Sequence, residues 1–336
     1  MSNGEAATLF AVIPRWIVAW IDALGADGIE EIEMDLGRPP RVHCRDRSRW
    51  TSPSREVARE DIQYVLGRVT RFREDNRTGI ERTLHRIACI RDRYQEITGF
   101  TFRVGRAIDG AAAPIRDLLA TGKNLLVIGR PGAGKTTVLR SAAAILSEQL
   151  HRRVVIADTS NEIGGDGQIP HPAIGSARCL QIPLAEPNRP ADAETRQAGT
   201  ILQAVINHRA ETVIIDELGF AADARVARTI ARRGVQLVAT AHATSLRDMV
   251  FNSELACLVG DLHPIVLSHE EVARRGIVRR TVLERIGPPV FDCAVEIAHR
   301  DAFVIHRDVA ESVDNLLNGL PPKVVVRDAG PDLEES

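Results

Sequence analysis

Eight consecutive residues, Gly129 to Thr136, carry the clearest chemical pattern in the chain. They read Gly-Arg-Pro-Gly-Ala-Gly-Lys-Thr and fill the pattern G-x-x-x-x-G-K-[ST] completely. In this pattern glycines let backbone N–H groups approach phosphate oxygens, the lysine reaches the β- and γ-phosphates, and the final hydroxyl ligates Mg²⁺. Lys135 and Thr136 stand at those last two positions. The spacing predicts a site for nucleotide phosphates and Mg²⁺, with a chance match or an inactive site as the alternative.

The lysine content of the chain supports this interpretation. Lysine and arginine together number 43, yet lysine occurs only at Lys123, Lys135 and Lys323. A compact ammonium therefore stands at a position where a planar guanidinium fits badly. The predicted nucleotide-binding residues are Gly129, Arg130, Pro131, Gly132, Ala133, Gly134, Lys135, Thr136 and Thr137.

Two adjacent carboxylates, Asp216 and Glu217, follow the strand-like run Thr212–Ile215, about 80 residues after the phosphate pattern. A P-loop ATPase needs acids at the end of a strand that faces its phosphate loop. Asp216 is predicted to hold Mg²⁺, and Glu217 is predicted to polarise an attacking water molecule. An exposed acidic turn is the alternative interpretation.

Two further polar segments, Asp158–Glu162 and Thr240–Thr244, also follow strand-like runs. Ligands of such sheets bind at the carboxyl ends of the strands. Glu162 is therefore a candidate for the water or metal network. Thr240 and His242 are candidates to sense the γ-phosphate and to transmit its loss. A purely structural role is the alternative for Glu162 and His242.

These segments need a sheet that brings them to one edge. After residue 110, continuous apolar runs alternate with helix-like stretches, which predicts a parallel sheet buried on both faces. The predicted strands cover residues 125–128, 154–157, 213–215 and 235–239, with short strands following within 282–305. The predicted helices cover residues 115–120, 135–150, 192–208, 223–233, 245–258 and 309–317.

The N-terminal third shows a different pattern. Apolar side chains from Trp16 to Leu24 recur at helical spacing, which predicts a short amphipathic helix. A hairpin over 29–42, helices over 54–69 and 80–85, and strands over 87–91 and 97–104 are predicted to follow. The sequence thus predicts a small α+β domain at 1–110, an α/β nucleotide-binding domain at 111–327 and an acidic flexible tail at 328–336.

Arginine is concentrated between Arg38 and Arg106, where 17 arginines stand against 9 acids. Such a stretch contacts nucleic acid, an acidic partner or a neighbouring subunit's nucleotide, or it forms a solvated charged surface. The sequence leaves these four readings open.

Other classes of protein are excluded by composition. The five cysteines are scattered without a C-x-x-C pair, which argues against a zinc site and a disulfide framework. No apolar run reaches the roughly 18 residues of a membrane helix, and the N-terminal region lacks a signal-peptide pattern. A cytoplasmic protein without a transmembrane segment is expected.

Taken together, these motifs resemble the P-loop ATPase family of the stage III sporulation protein AA and its plastid-encoded relatives. More distantly the chain is similar to type II/IV secretion ATPases. The resemblance implies a RecA-like core with an additional strand, behind a small N-terminal domain, assembled as a homo-oligomeric ring such as a hexamer. The segments that carry it are 97–106, the phosphate loop, 161–165, 208–209, 216–219 and 240–242.

In ring ATPases an arginine from a neighbouring subunit or adjoining domain stabilises charge on the transferred phosphoryl group. Arg103 and Arg106 lie beside the predicted domain junction and are the first candidates for this role. Arg178 and Arg209 are the reserve candidates.

The leading functional hypothesis is an ATPase that uses ATP and Mg²⁺ to rearrange a macromolecular partner, a protein or a nucleic acid. ATP is favoured over GTP because the chain has no Asn-Lys-x-Asp guanine-specificity motif. A small-molecule kinase is one alternative, although the Asp216-Glu217 pair favours water as the acceptor. A nucleotide-regulated single-stranded nucleic-acid-binding protein with little turnover is the other.

Overall fold

The computed structural model describes residues 3–25, 28–183, 193–219, 221–252, 255–275, 278, 280–299 and 302–328. The chain forms two compact units. The N-terminal unit comprises Met1–Ala107 together with Gly164–Pro172, and the C-terminal unit comprises Ile108–Ile163 together with Ala173–Glu335. Most of the acidic tail expected at 328–336 lies outside the described residues.

The N-terminal unit is built on an antiparallel sheet of six strands. Its elements are α1 (Asn3–Val12), α2 (Arg15–Leu24), β1 (Ile29–Asp35), β2 (Arg41–Cys44), β3 (Arg49–Thr51), α3 (Arg59–Leu66), β4 (Arg77–Gly79), β5 (Arg86–Arg91) and β6 (Ile97–Arg103). The strands lie in the order β3-β2-β1-β6-β5-β4. Along each strand, residues that face the core alternate with residues that face away from it, so that Ile32 and Met34 of β1 pack with Phe100 and Phe102 of β6.

The C-terminal unit is an α/β domain on a mixed sheet of eight strands, with a separate two-stranded sheet. A π-helical turn at residues 145–149 continues its phosphate-loop helix. Its elements are α4 (Arg116–Ala120), β7 (Leu125–Gly129), α5 (Lys135–Ala144), β8 (Val154–Asp158), β9 (Arg178–Gln181), α6 (Ala193–His208), β10 (Thr212–Leu218), α7 (Ala221–Ala231), β11 (Gln236–Ala241), α8 (Leu246–Val250), β12 (Leu262–Val266), α9 (His269–Arg275), β13 (Thr281–Arg285), β14 (Cys293–His299), β15 (Ala302–His306), α10 (Val309–Leu317) and β16 (Val325–Asp328).

The strand order β16-β15-β14-β7-β11-β10-β8-β9 sets the position of the site. Strands β14, β7, β11, β10, β8 and β9 run parallel, so their carboxyl ends meet at one edge. Strand β11 is inserted between the phosphate-loop strand β7 and the acidic strand β10, which is the additional-strand arrangement of a RecA-like core. Alternate residues of β7 enter hydrophobic clusters on opposite faces, which explains why these strands are apolar throughout.

The four core strands predicted from continuous apolar runs are confirmed, and so are the hairpin at β1–β2 and the last helix, α10. The helix predicted over 80–85 is wrong. Arg82 has a left-handed backbone with φ of 60°, and its N–H donates to the carbonyl of Ile169, 2.9 Å away. That partner comes from the distant segment 164–172 of the same unit, which a local pattern cannot reveal.

Two predicted helices are shorter than expected. The helix predicted over 54–69 begins only at Arg59, because Val57 pairs with Leu36 and exchanges backbone hydrogen bonds with Gly37 and Arg38. The helix predicted over 245–258 ends at Val250, and only a short 3-10 turn follows at residues 256–258. The backbone leaves the helix at the exposed Phe251, with φ of −98° and ψ of 3°.

Candidate nucleotide site

The phosphate loop, Gly129–Thr136, connects the carboxyl end of β7 to the first turn of α5. Gly132 and Gly134 have left-handed backbones, with φ of 74° and 86°. Glycine adopts this conformation without steric cost, which explains its place at these two positions. The helix N-terminus that follows exposes backbone N–H groups suited to an anion. The side chain of Thr137, predicted to bind nucleotide, is buried, with 1% of its surface exposed.

Lys135 lies over the phosphate loop. Its Nζ donates to the carbonyl oxygens of Gly129 at 2.9 Å and Arg130 at 3.1 Å. Burial lowers the pKa of Lys135, while the carboxylates of Glu217, Asp216 and Glu162 oppose this shift. The lysine thus carries its ammonium group to the centre of the predicted site.

Asp216 is buried in this site, with 4% of its surface exposed. The hydroxyl of Ser160 donates to its carboxylate, and the hydroxyl of Thr159 donates to its backbone carbonyl. Burial, and then the nearby carboxylate of Asp158, raises the pKa of Asp216 to about 7. Crowded acids of this kind form a site that is stabilised by a cation.

Glu217 has an unusual backbone for a strand residue. Its φ is 68°, a left-handed conformation that costs roughly 1–3 kcal/mol for a residue other than glycine. Its N–H donates to Oγ1 of Thr240 at 2.9 Å, and its carboxylate contacts Nε2 of His242. Thr240 at the end of β11 and His242 just after it therefore hold Glu217 from two sides, which local sequence patterns did not predict.

Glu162 reaches back to the phosphate loop from the end of β8. Oγ1 of Thr136 donates to Oε2 of Glu162, at 3.4 Å. The structure thus brings together Lys135, Thr136 and three carboxylates from the ends of two strands. Sequence reasoning singled out Glu162 but missed the hydroxyls of Thr159 and Ser160, although both stand in the polar segment that drew attention to Glu162.

Arg103, Arg106, Arg178 and Arg209 are the candidate arginines. Arg103 is exposed at the end of β6, and Nη2 of Arg106 donates to the carbonyl of Ile29 at 2.9 Å, within the N-terminal unit. Arg178 is exposed at the start of β9, and Arg209 follows α6 with a left-handed φ of 47°. The assignment of one of them to a neighbouring nucleotide stays a prediction.

Several arginines of the basic stretch have acidic partners inside the N-terminal unit. Arg41 forms an ion pair with Glu33 at 2.8 Å. Arg73 and Arg86 both bind the buried carboxylate of Asp166, at 2.5 and 2.9 Å. Part of the basic surplus is therefore used in internal ion pairs.

The phosphate loop and the inserted strand define the class of this protein: a P-loop NTPase with a RecA-like core. Its fold is similar to a solved structure of the pilus retraction motor PilT with bound ADP. The TM-score is 0.51 at 16% identity, with 81% of this chain and 83% of that chain covered. A likeness at this identity shows a shared fold.

The sequence comparisons identify the family. The chain is 45% identical over 297 residues to the uncharacterized protein ycf45 of Porphyra purpurea, covering 88% of this chain and 51% of that protein. It is 34% identical over 292 residues to the uncharacterized protein ycf45 of Cyanidium caldarium, covering 87% and 84%. The chain belongs to the ycf45 family. No protein-family model matches it.

The predicted resemblance to the stage III sporulation protein AA is also confirmed. The protein of that name from Bacillus subtilis (strain 168) is 24% identical over 248 residues, covering 66% of this chain and 76% of that protein. The chain spans about half the length of the Porphyra purpurea protein. Within the part of the chain that the structure describes, no helix is long and apolar enough to cross a membrane.

Proposed function

We propose that this protein is a Mg²⁺-dependent ATPase that uses ATP hydrolysis to rearrange a macromolecular partner. One observation carries the proposal. Lys135, Thr136 and the carboxylates of Asp216, Glu217 and Glu162 converge at the edge where a complete phosphate loop meets the strand ends. This set can hold a triphosphate, a cation and a water molecule together.

The residues present fit a magnesium ion. Hydroxyl and carboxylate oxygens are its preferred ligands, and Thr136 and Asp216 supply them here. Burial, and then the crowding of acids, raises the pKa of Asp216, and a divalent cation relieves this crowding. When bound, Mg²⁺ neutralises charge on the phosphate oxygens.

The side chains of the protein supply the remaining functions. The amides of the phosphate loop and the ammonium of Lys135 bind and orient the phosphates. Glu217 orients the attacking water and accepts its proton. His242 fixes the carboxylate of Glu217, and Thr240 fixes its backbone. Through these two contacts, loss of the γ-phosphate shifts Thr240 and His242.

The proposal extends to assembly and location. A ring of several copies, with Arg106 or Arg103 acting on a neighbouring nucleotide, would complete the charge neutralisation at the γ-phosphate. We place the ring in the cytoplasm, with residues 1–110 as its N-terminal domain and 111–327 as its ATPase domain.

Phosphate release from ATP by the purified protein tests the proposal, with and without single-stranded DNA and RNA. We expect turnover by the wild type and none by Lys135→Ala. Lys123→Ala is the matched control, since Lys123 is an exposed lysine of the same unit, and its turnover should equal that of the wild type. Salt-sensitive RNA or DNA binding without turnover would instead favour a nucleotide-regulated nucleic-acid-binding protein.

A further inference from the structure

Two buried charged side chains of the C-terminal unit lie next to the nucleotide site but are not part of its sequence pattern. Arg140 stands on α5 with 5% of its surface exposed, and Asp158 ends β8 with none exposed. Burying a charge is costly unless it is paired and hydrogen-bonded. Because both charges are buried, we expect each of them to have specific hydrogen-bond partners.

Both side chains bind the backbone of the same two residues. Nη2 of Arg140 donates to the carbonyl of Glu162 at 2.5 Å, and its Nε donates to the carbonyl of Ile163 at 2.9 Å. Oδ1 of Asp158 accepts the N–H groups of Glu162 at 3.0 Å and Ile163 at 3.3 Å. The two side chains thus bind all four backbone polar groups of Glu162 and Ile163. The bonds donated by the guanidinium of Arg140 are charge-assisted, which is the stronger kind.

The arginine belongs to the same rigid element as the phosphate-binding residues. Thr136 and Arg140 are four residues apart on α5, so their side chains lie on one face of the helix, one turn apart. Thr136 binds the carboxylate of Glu162, and Arg140 binds its carbonyl. The helix therefore holds Glu162 at two points.

The route of the chain makes such an anchor necessary. Ile163 is the last residue of this stretch in the C-terminal unit, and Gly164 already belongs to the N-terminal unit. Without the anchor, the position of Glu162 would be set by a segment that leaves the unit one residue later. With it, the position is fixed relative to the phosphate loop.

We propose that Arg140 is a positioning residue that keeps the carboxylate of Glu162 at the nucleotide site. The proposal rests on the ATPase function proposed above. Arg140 acts through Glu162 and does not itself reach the phosphates. Its loss should therefore lower turnover without weakening nucleotide binding.

Arg140→Lys is the most informative variant. Lysine keeps the charge, but a single ammonium cannot reproduce the planar fork that spans two carbonyls. A displacement of Glu162 by about 1 Å is expected to lower kcat on the order of 100-fold. The affinity for a fluorescent ATP analogue should stay that of the wild type. Weakened nucleotide binding with an unchanged kcat would contradict the proposal.

A double-mutant cycle separates positioning from a general loss of structure. If Arg140 acts through Glu162, then Arg140→Lys should have no further effect on kcat in a Glu162→Gln background. If the two losses multiply, the proposal is overturned. Arg228→Lys is the matched control: Arg228 also anchors a backbone carbonyl, that of Cys257 at 2.9 Å, in the same unit. Arg228→Lys should hydrolyse ATP with the kcat of the wild type.

Amide hydrogen exchange tests, independently of turnover, whether Arg140 anchors the segment that carries Glu162. The backbone amides of residues 158–163 should exchange faster in Arg140→Lys than in Arg228→Lys, and the amides elsewhere should exchange at similar rates in the two variants. Equal exchange in the two variants overturns the proposal. A wild type that does not hydrolyse ATP would refute the proposed function alone, and the exchange measurement would still test the anchor.

Discussion

Asp216→Asn should stabilise the protein when Mg²⁺ is withheld, although it removes a residue proposed to hold that ion. The pKa of Asp216 is raised from its ordinary value of 3.8 to about 7, chiefly by burial. At about 1.4 kcal/mol per pH unit, an ionised Asp216 in the folded protein costs on the order of 4 kcal/mol. Asparagine keeps the size of the side chain and an oxygen for the Ser160 hydroxyl, and it carries no charge.

The effect depends on pH with a defined sign. Because the folded protein binds the Asp216 proton more tightly than the unfolded chain, the contribution of Asp216 to the free energy of unfolding falls as pH rises from 3.8 to about 7. The advantage of Asp216→Asn should therefore be about 2 kcal/mol at pH 5 and on the order of 4 kcal/mol at pH 8. Millimolar Mg²⁺ should stabilise the wild type at pH 8 and leave the variant unchanged.

Urea unfolding in EDTA at pH 5, 6.5 and 8 measures this difference. Glu270→Gln, an exposed acid on α9 in the same unit, is the control and should behave like the wild type throughout. An advantage of Asp216→Asn that stays constant with pH would refute the reasoning, since it would show that ionisation of Asp216 carries no cost in the fold. Equal stabilisation of both proteins by Mg²⁺ would refute the cation assignment.

Further predictions concern three other groups. Arg106→Ala should abolish turnover yet leave ATP binding intact; normal turnover in an activity assay would rule out Arg106 as the arginine that acts on the phosphate. Thr240→Val leaves the N–H of Glu217 without its partner, so it should destabilise the protein by roughly 1–3 kcal/mol, measured by urea unfolding. A smaller loss than in the exposed control Thr229→Val would contradict that bond. His85 is buried, and burial lowers its pKa below 6.5, so the contribution of His85 to the free energy of unfolding should fall as pH drops below 6.5. His85→Gln should lose this dependence, and an equal pH dependence in both proteins would count against it.

Local sequence patterns predicted those parts of the molecule whose structure depends on the residues of one short segment. The phosphate loop needs glycine at two left-handed positions and a lysine beside them, so the sequence alone identifies it. Strands buried on both faces must be apolar throughout, and four of them were visible for that reason. Because these strands run parallel, the acids at their carboxyl ends were predicted to meet at one edge of the sheet.

The parts that were missed depend on contacts between distant residues. Arg82 leaves a helical conformation because its N–H is bound by Ile169, 87 positions further on. Arg140 binds the carbonyl of Glu162, which lies in a loop 22 residues further along the chain. In the sequence, nothing distinguishes Arg140 from an ordinary arginine on a helix. Likewise, His242 meets Glu217 only because β11 is inserted beside β10.

A single-turnover experiment tests the central claim, that Glu217 activates water for hydrolysis of bound ATP. Enzyme in excess over radiolabelled ATP and Mg²⁺ is quenched over time for the wild type and for Glu217→Gln. The wild type should convert bound ATP to ADP, while Glu217→Gln should retain ATP and react on the order of 100-fold or more slowly. Equal conversion rates would contradict the role of Glu217, and no conversion by the wild type would contradict the ATPase function itself.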